Sequence, residues 1–175
     1  MRQVFSTVGL LAAFFIFTGG YTGQNHVGVT ASDSGTTGEI VAAEKSDSVK
    51  GGTQKLVKAD FLKLIWNYET TPNEWKFLGD KPALIDFYAD WCGPCRIASP
   101  LLEEISHEFA GKVNIYKIDT DREKELAAVF GVRGIPVFLY IPKEGRPVMM
   151  VGIARSKEDT KKMFIENINK YLLMK

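Results

Sequence analysis

Cysteine is scarce in this chain: 175 residues contain only Cys92 and Cys95. A framework of bridges stapling distant segments is therefore excluded. Histidine is equally scarce. A zinc site needs more ligands than the close pair of cysteines provides, and the only histidines are His26 and His107, so no metal is expected. Charge of one sign is lacking too. The 22 basic residues face 21 acidic ones, for a net charge of +1. With no Lys/Arg block, neither a nucleic-acid partner nor a polybasic membrane-surface role has support. Internal repeats are absent. The N-terminal region has no cysteine, which excludes a lipid-modified one there.

The chain also lacks an apolar run long enough to span a bilayer comfortably. Val8–Phe17 has ten such residues, follows Arg2 and precedes the small residues Thr18-Gly19-Gly20. No polar face alternates with the apolar one, so a secretory signal fits better than a buried helix. Residues 1–20 are expected to be a signal peptide cleaved near Gly20, with an uncleaved anchor as the alternative. Between Tyr21 and Gln54, 15 of 34 residues are Gly, Ser or Thr. Such a stretch buries too little apolar surface to offset its ordering entropy, and 21–54 reads as a flexible linker.

From Lys55 to Lys175 the pattern is that of one folded domain, whose 45% hydrophobic content over the chain can fill a single core. A short strand is expected around Leu56-Val57 and a helix over Lys58–Trp66. Ala83–Tyr88 is a continuous apolar run interrupted by Asp86, as in a strand covered on both faces. A helix follows over Arg96–Phe109, bent or broken at Pro100. Val113–Ile118 alternates like a strand, and Arg122–Phe130 reads as a helix stopped by Gly131. Val137–Ile141 and Pro147–Val151 flank turn residues and predict a hairpin. Ser156 opens a last amphipathic helix, with Asp159 three residues on in a capping arrangement. The order βαβαβαββα specifies an α/β fold with a mixed sheet and helices on both faces.

What the chain does have is Trp91-Cys92-Gly93-Pro94-Cys95. Two cysteines placed at random fall three apart in about 1% of cases, so the spacing is informative. Such a pair closes and reopens a small ring, a reversible two-electron switch. Between a strand and a helix, the first sulfur lies at the helix N-terminus, where free N–H groups and the helix dipole favour the thiolate. Cys92 is then the attacking nucleophile and Cys95, one turn deeper, the resolving thiol. Pro94 suits the first helical turn, where its missing donor costs nothing. An inert structural disulfide is the plain alternative. Asp86 stands six positions before Cys92 among Leu84, Ile85 and Phe87. A carboxyl there is either a desolvated acid that trades a proton with Cys95 or a strand-end Asp facing water. At Gly134-Ile135-Pro136, a proline opens a strand and a trans bond is the default. His107 reads as a solvated side chain, and Trp66 and Trp75 as packing residues.

The run Asp86–Cys95, followed by Pro100 and by Gly131-Val132-Arg133-Gly134-Ile135-Pro136, with Gly152 after the last strand, closely resembles thioredoxin. The resemblance covers about Lys55 to Lys175. It implies a thioredoxin fold with a five-stranded mixed sheet, Cys92 attacking, Cys95 resolving and Asp86 as buried acid/base. It implies a cis Pro136 whose neighbour Ile135 offers its backbone to an extended substrate, and a flat docking surface of Trp91, Gly93, Pro94, Ile135 and Gly152. The expected activity is reduction of protein disulfides, with no cofactor beyond the Cys92–Cys95 pair itself and with a monomeric protein. Gly-Pro between the cysteines looks like the reducing members of the family; an oxidase or isomerase, a thiol reductase for cytochrome c maturation and a redox-inert module are the alternatives. Several departures are visible. When the Ile118-Asp119 pairs are aligned, Ile115 occupies the place of the family's usual Lys, with Lys117 two residues on. Tyr88 stands where many members have Trp, and Thr70–Lys81 is longer than a plain link. The export signal is the largest departure. It implies a periplasmic location and a membrane thiol-transfer protein as the electron donor.

Overall fold

The structure is a computed structural model and describes residues 51–174. The expected signal segment and all of the linker before Gly51 lie outside the described residues. Strand β2 (Ala83–Tyr88) forms the centre of the sheet, and all six of its residues are buried. That explains why every residue of it except Asp86 is apolar, because both faces are covered. Beside it runs β3 (Asn114–Asp119), parallel, and beyond β3 the short parallel β1 (Gln54–Lys55). On its other side, β4 (Val137–Ile141) and β5 (Val148–Val151) form an antiparallel hairpin. The order β1-β3-β2-β4-β5 is the expected five-stranded mixed sheet.

Alternation along the strands divides the core in two. One face carries Ile85, Phe87, Tyr116, Ile118, Val137 and Leu139 against Phe61 of α1 (Lys58–Leu64) and Leu126 of α3 (Lys124–Val129). The other carries Leu84, Ile115, Phe138 and Tyr140 against α2 (Gly93–Glu108) and α4 (Lys157–Asn167). Each fully buried Leu, Ile or Phe contributes roughly 1.5–3 kcal/mol of transfer free energy, so the two faces hold the helices in place. Ser156 caps α4, accepting from the Asp159 N–H at 3.0 Å while donating to the Asp159 carboxylate at 2.8 Å.

Several element boundaries differ from expectation by a few residues, those of β1 and α2 with the clearest causes. Pairing of β1 begins at Gln54, and Leu56 N–H adds a bond to the Lys117 carbonyl at 2.9 Å. Just before it, Thr53 donates to Glu103 through both N–H (3.0 Å) and hydroxyl (2.6 Å). Helix α2 begins at Gly93, three residues earlier than expected, and runs unbroken through Pro100.

The extra length between α1 and β2 has a structural explanation. Trp75 and Phe77 pack onto the core face that holds Phe61, together with Trp66, Tyr68 and Phe130. The Trp66 and Trp75 rings lie 5.2 Å apart, and Trp66 Nε1 donates to the Glu74 carbonyl at 2.8 Å. Lys143, at the tip of the β4–β5 hairpin, donates to the Gly79 carbonyl at 2.6 Å. The segment therefore closes the end of the sheet where β2 starts, opposite the end where Cys92 lies.

Candidate active site

Strand β2 delivers the site. Its chain leaves the sheet after Tyr88, turns through Ala89–Trp91 and enters α2 with Cys92 as the capping residue. Cys92 has extended backbone angles, φ −75° and ψ 112°, and its sulfur accepts from the Cys95 N–H at 3.2 Å. That contact satisfies one of the unpaired donors of the first turn and puts the sulfur where the helix dipole favours negative charge. Gly93 and Pro94 occupy the first two helical positions. Pro94 is exposed there, while a Cβ on Gly93 would meet nothing within 4 Å, so the surface over the turn is open.

Cys92 and Cys95 are joined by a disulfide. Both are buried, at 4% and 1% exposure, in a small cluster with Tyr88, against which Ile135 packs. The Ile135–Pro136 bond is cis, as the family resemblance implied and against the trans default of the bare sequence. Pro136 is buried, and its carbonyl accepts from Gly152 N–H at 2.9 Å, joining the start of β4 to the residue after β5. Gly152 has φ +83°, a conformation that favours glycine. Ile135 itself makes no backbone hydrogen bond among the described residues. Trp91 is 68% exposed beside the disulfide, and its indole N–H donates to Asp121 at 2.9 Å. Trp91 and Ile135 share a groove of about 310 Å³ with Val132, Arg133 and Lys124. Of the expected docking residues, Trp91 and Ile135 share this groove, Gly93 and Pro94 form the open turn between the cysteines, and Gly152 is hydrogen-bonded to Pro136.

Asp86 lies on β2 two residues before Tyr88, on the sheet face that α2 covers. It is fully buried, and neither carboxylate oxygen has a hydrogen-bond partner. The water-facing alternative for Asp86 is thereby excluded. Burial pushes its pKa up to about 7, and the Lys117 ammonium pulls in the opposite direction without cancelling the effect.

The comparisons with known proteins agree with this geometry. The thioredoxin family profile matches residues 67–166. The chain belongs to the thioredoxin family. The thioredoxin of Borreliella burgdorferi is 42% identical over 97 residues, covering 55% of this chain and 82% of its own. That of Haemophilus influenzae is 51% identical over 69 residues, covering 39% and 64%. Among solved structures, the thioredoxin of Malassezia sympodialis (Mala s 13) is similar with a TM-score of 0.54 and 28% identity, covering 70% of this chain and 92% of that one. As a thioredoxin with a closed Cys-x-x-Cys pair, the protein is a thiol–disulfide oxidoreductase.

One reading of the thioredoxin pattern needs correction. Ile115 does not take the place of the lysine. The β2–β3 register sets Asp86 opposite Lys117 and Leu84 opposite Ile115, so Ile115 is a core residue and Lys117 is the cation beside the acid. Aligning the Ile118-Asp119 pairs could not separate the two positions by face, because residues two apart on a strand point to the same side. Sequence reasoning also missed Asp121, which fixes Trp91, and Ser99, whose hydroxyl accepts from Lys117 Nζ at 2.7 Å. A Ser inside an amphipathic helix gives no signal of such a contact. Among the described residues no group of three or more His, Cys, Asp or Glu is placed to hold a metal ion.

Proposed function

We propose that this thioredoxin reduces disulfides of exported proteins outside the cytosol and is itself re-reduced by a membrane thiol-transfer protein. The observation that carries the chemistry is the Cys92–Cys95 disulfide at the head of α2 with the unpartnered, buried Asp86 on the strand leading to it. In the reduced protein, the Cys92 thiolate attacks one sulfur of a substrate disulfide. A Cys92–substrate bond forms, and the other substrate sulfur leaves as a thiolate. Asp86 then takes the proton from Cys95, whose thiolate attacks Cys92. The Cys92–Cys95 bond forms, the second substrate sulfur leaves with the electron pair, and Asp86 returns the proton to it. Two electrons have moved from the dithiol to the substrate. The substrate lies as an extended strand against the open backbone of Ile135, over Trp91, Gly93, Pro94, Pro136 and Gly152. Electrons return when a donor dithiol attacks Cys92–Cys95 and becomes a disulfide in turn.

The setting outside the cytosol rests on the apolar segment Val8–Phe17 and the small residues after it. An exported compartment also favours the opposite direction, donation of the disulfide by an oxidase or isomerase. A cytochrome c maturation role fits less well, because only α2, β3 and α3 lie between Cys95 and Pro136. The deciding experiment is the equilibrium reduction potential of Cys92–Cys95 in a dithiothreitol or glutathione buffer. A value around −270 mV is expected for a reductase; one near −120 to −180 mV would replace this proposal with the oxidase or isomerase reading.

A further inference from the structure

A cavity of about 280 Å³ adjoins the buried resolving cysteine, lined by Tyr88, Ala89, Asp90, Cys95, Arg96, Ser99 and Lys117. Lys117 is the strand partner of Asp86 on β3, yet its ammonium makes no hydrogen bond to either carboxylate oxygen. It donates instead to Ser99 Oγ on α2 at 2.7 Å and sits 4.3 Å from the centre of the Tyr88 ring. A lysine half-exposed at a cavity keeps part of its hydration, whereas contact with Asp86 would bury both charges. The serine supplies the hydrogen bond that makes the outer position the stable one. A hydroxyl at position 99 has no other partner among the described residues.

We propose that Ser99 is a positioning residue: its hydroxyl holds the Lys117 ammonium on the α2 side of the cavity and so leaves the Asp86 carboxyl unpaired and able to accept the Cys95 proton. Ser99 touches no reacting atom and acts only through Lys117. Other titratable and charged groups surround the cavity. Tyr88 and Asp90 come from β2 and the turn after it, and Cys95 and Arg96 from α2, while Asp119 of β3, with Arg122 bound to it at 3.3 Å, acts on Tyr88; the β4 residue opposite Asp86 is the apolar Phe138. None of the cationic groups except Lys117 acts on Asp86 enough to shift it. Lys117 is therefore the one cation whose position sets how readily the acid ionises, and Ser99 is what sets that position.

This inference rests on Asp86 being the proton acceptor, but it is tested without activity. The side-chain carboxyl of Asp86 is followed by 13C NMR against pH in the oxidised full-length chain. In Ser99→Ala the freed ammonium swings toward the carboxylate, and the titration midpoint falls by about 1 pH unit, the effect of a closer opposite charge. Ser99→Thr keeps the hydroxyl and the original midpoint. Lys117→Met raises the midpoint, and adding Ser99→Ala to Lys117→Met produces no further shift. An unchanged or raised midpoint in Ser99→Ala overturns the proposal, as does a Ser99→Ala shift that persists without Lys117. The assignment of Asp86 as proton acceptor fails on different grounds, if Asp86→Asn resolves mixed disulfides as fast and with the same pH profile as the unmodified chain, and the reductase direction is decided separately by the reduction potential.

Discussion

Cys92 and Cys95 are chemically identical residues separated by three positions, and only their places on α2 divide the work between them. Cys92 caps the helix at the open face, while Cys95 is buried one turn deeper. Cys92→Ser should abolish disulfide reduction, since the one thiol left, Cys95, is buried a turn deeper and cannot reach a substrate disulfide. A redox-inert binding module would keep its function in that variant. Cys95→Ser should instead accumulate a covalent complex with substrate through Cys92, seen as a species of raised mass that dithiothreitol dissolves. Asp86 carries a second residue-scale prediction, and its sign is opposite to that of a salt-bridged acid. Its carboxyl titrates near pH 7 when folded and near pH 4 when unfolded. Between those values the folded chain holds a proton that the unfolded chain has released, so stability falls as pH rises from about 4 to about 7 and levels off above. Asp86→Asn removes this loss. It should match the unmodified chain near pH 4 and exceed it at pH 8 by roughly 4 kcal/mol, three pK units at 1.36 kcal/mol each. Urea unfolding at the two pH values decides: an equal gain at both, or none at pH 8, means that Asp86 is not a destabilising charge. These residues were legible because their chemistry lies in residue type and spacing. Ser99 and Asp121 were not, because each matters only through a partner brought close by the fold.

At the scale of elements, the strands were read best and the starts of helices less well, for a physical reason. A strand buried on both faces is apolar at nearly every position, and β2 (Asp86 apart) and β4 are apolar and buried along their lengths, so their sequence limits match their structural limits. The start of α2 is set instead by a side chain. The Cys92 sulfur caps the helix, and Gly93-Pro94, which resemble a break, are its first turn. The segment before β2 has no period at all, because Trp75 and Phe77 find their places through contacts with Trp66 and Phe130 rather than through a repeating backbone. At α4 the cap was readable, as Ser156 and Asp159 complete it within four residues of chain. Ser156→Ala should lower stability by about 1 kcal/mol, and Ser156→Asp should restore most of it, both measured by urea unfolding at fixed pH. An effect well below 0.5 kcal/mol would mean that α4 is held by Phe164 and Ile168 alone, which are fully buried.

For the molecule as a whole, compartment determines direction, because the same dithiol reduces or oxidises according to its potential and that of its surroundings. Among the described residues no helix is long and apolar enough to cross a membrane. The proposal that this thioredoxin works outside the cytosol therefore makes a joint prediction about place and redox state. Cells are fractionated and thiols are trapped with an alkylating agent that adds mass to each free cysteine. The chain should be found outside the cytosol with Cys92 and Cys95 alkylated, that is, reduced in a compartment that oxidises most thiols. Loss of the membrane thiol donor should leave it in the same fraction but resistant to alkylation. Protein found reduced in the cytosol would overturn the export reading. Protein found outside the cytosol but oxidised, whatever the state of the donor, would overturn the reductase direction and fit a disulfide donor instead. Place and direction thus fail separately, and the alkylation pattern distinguishes them because the chain has no third thiol to obscure it.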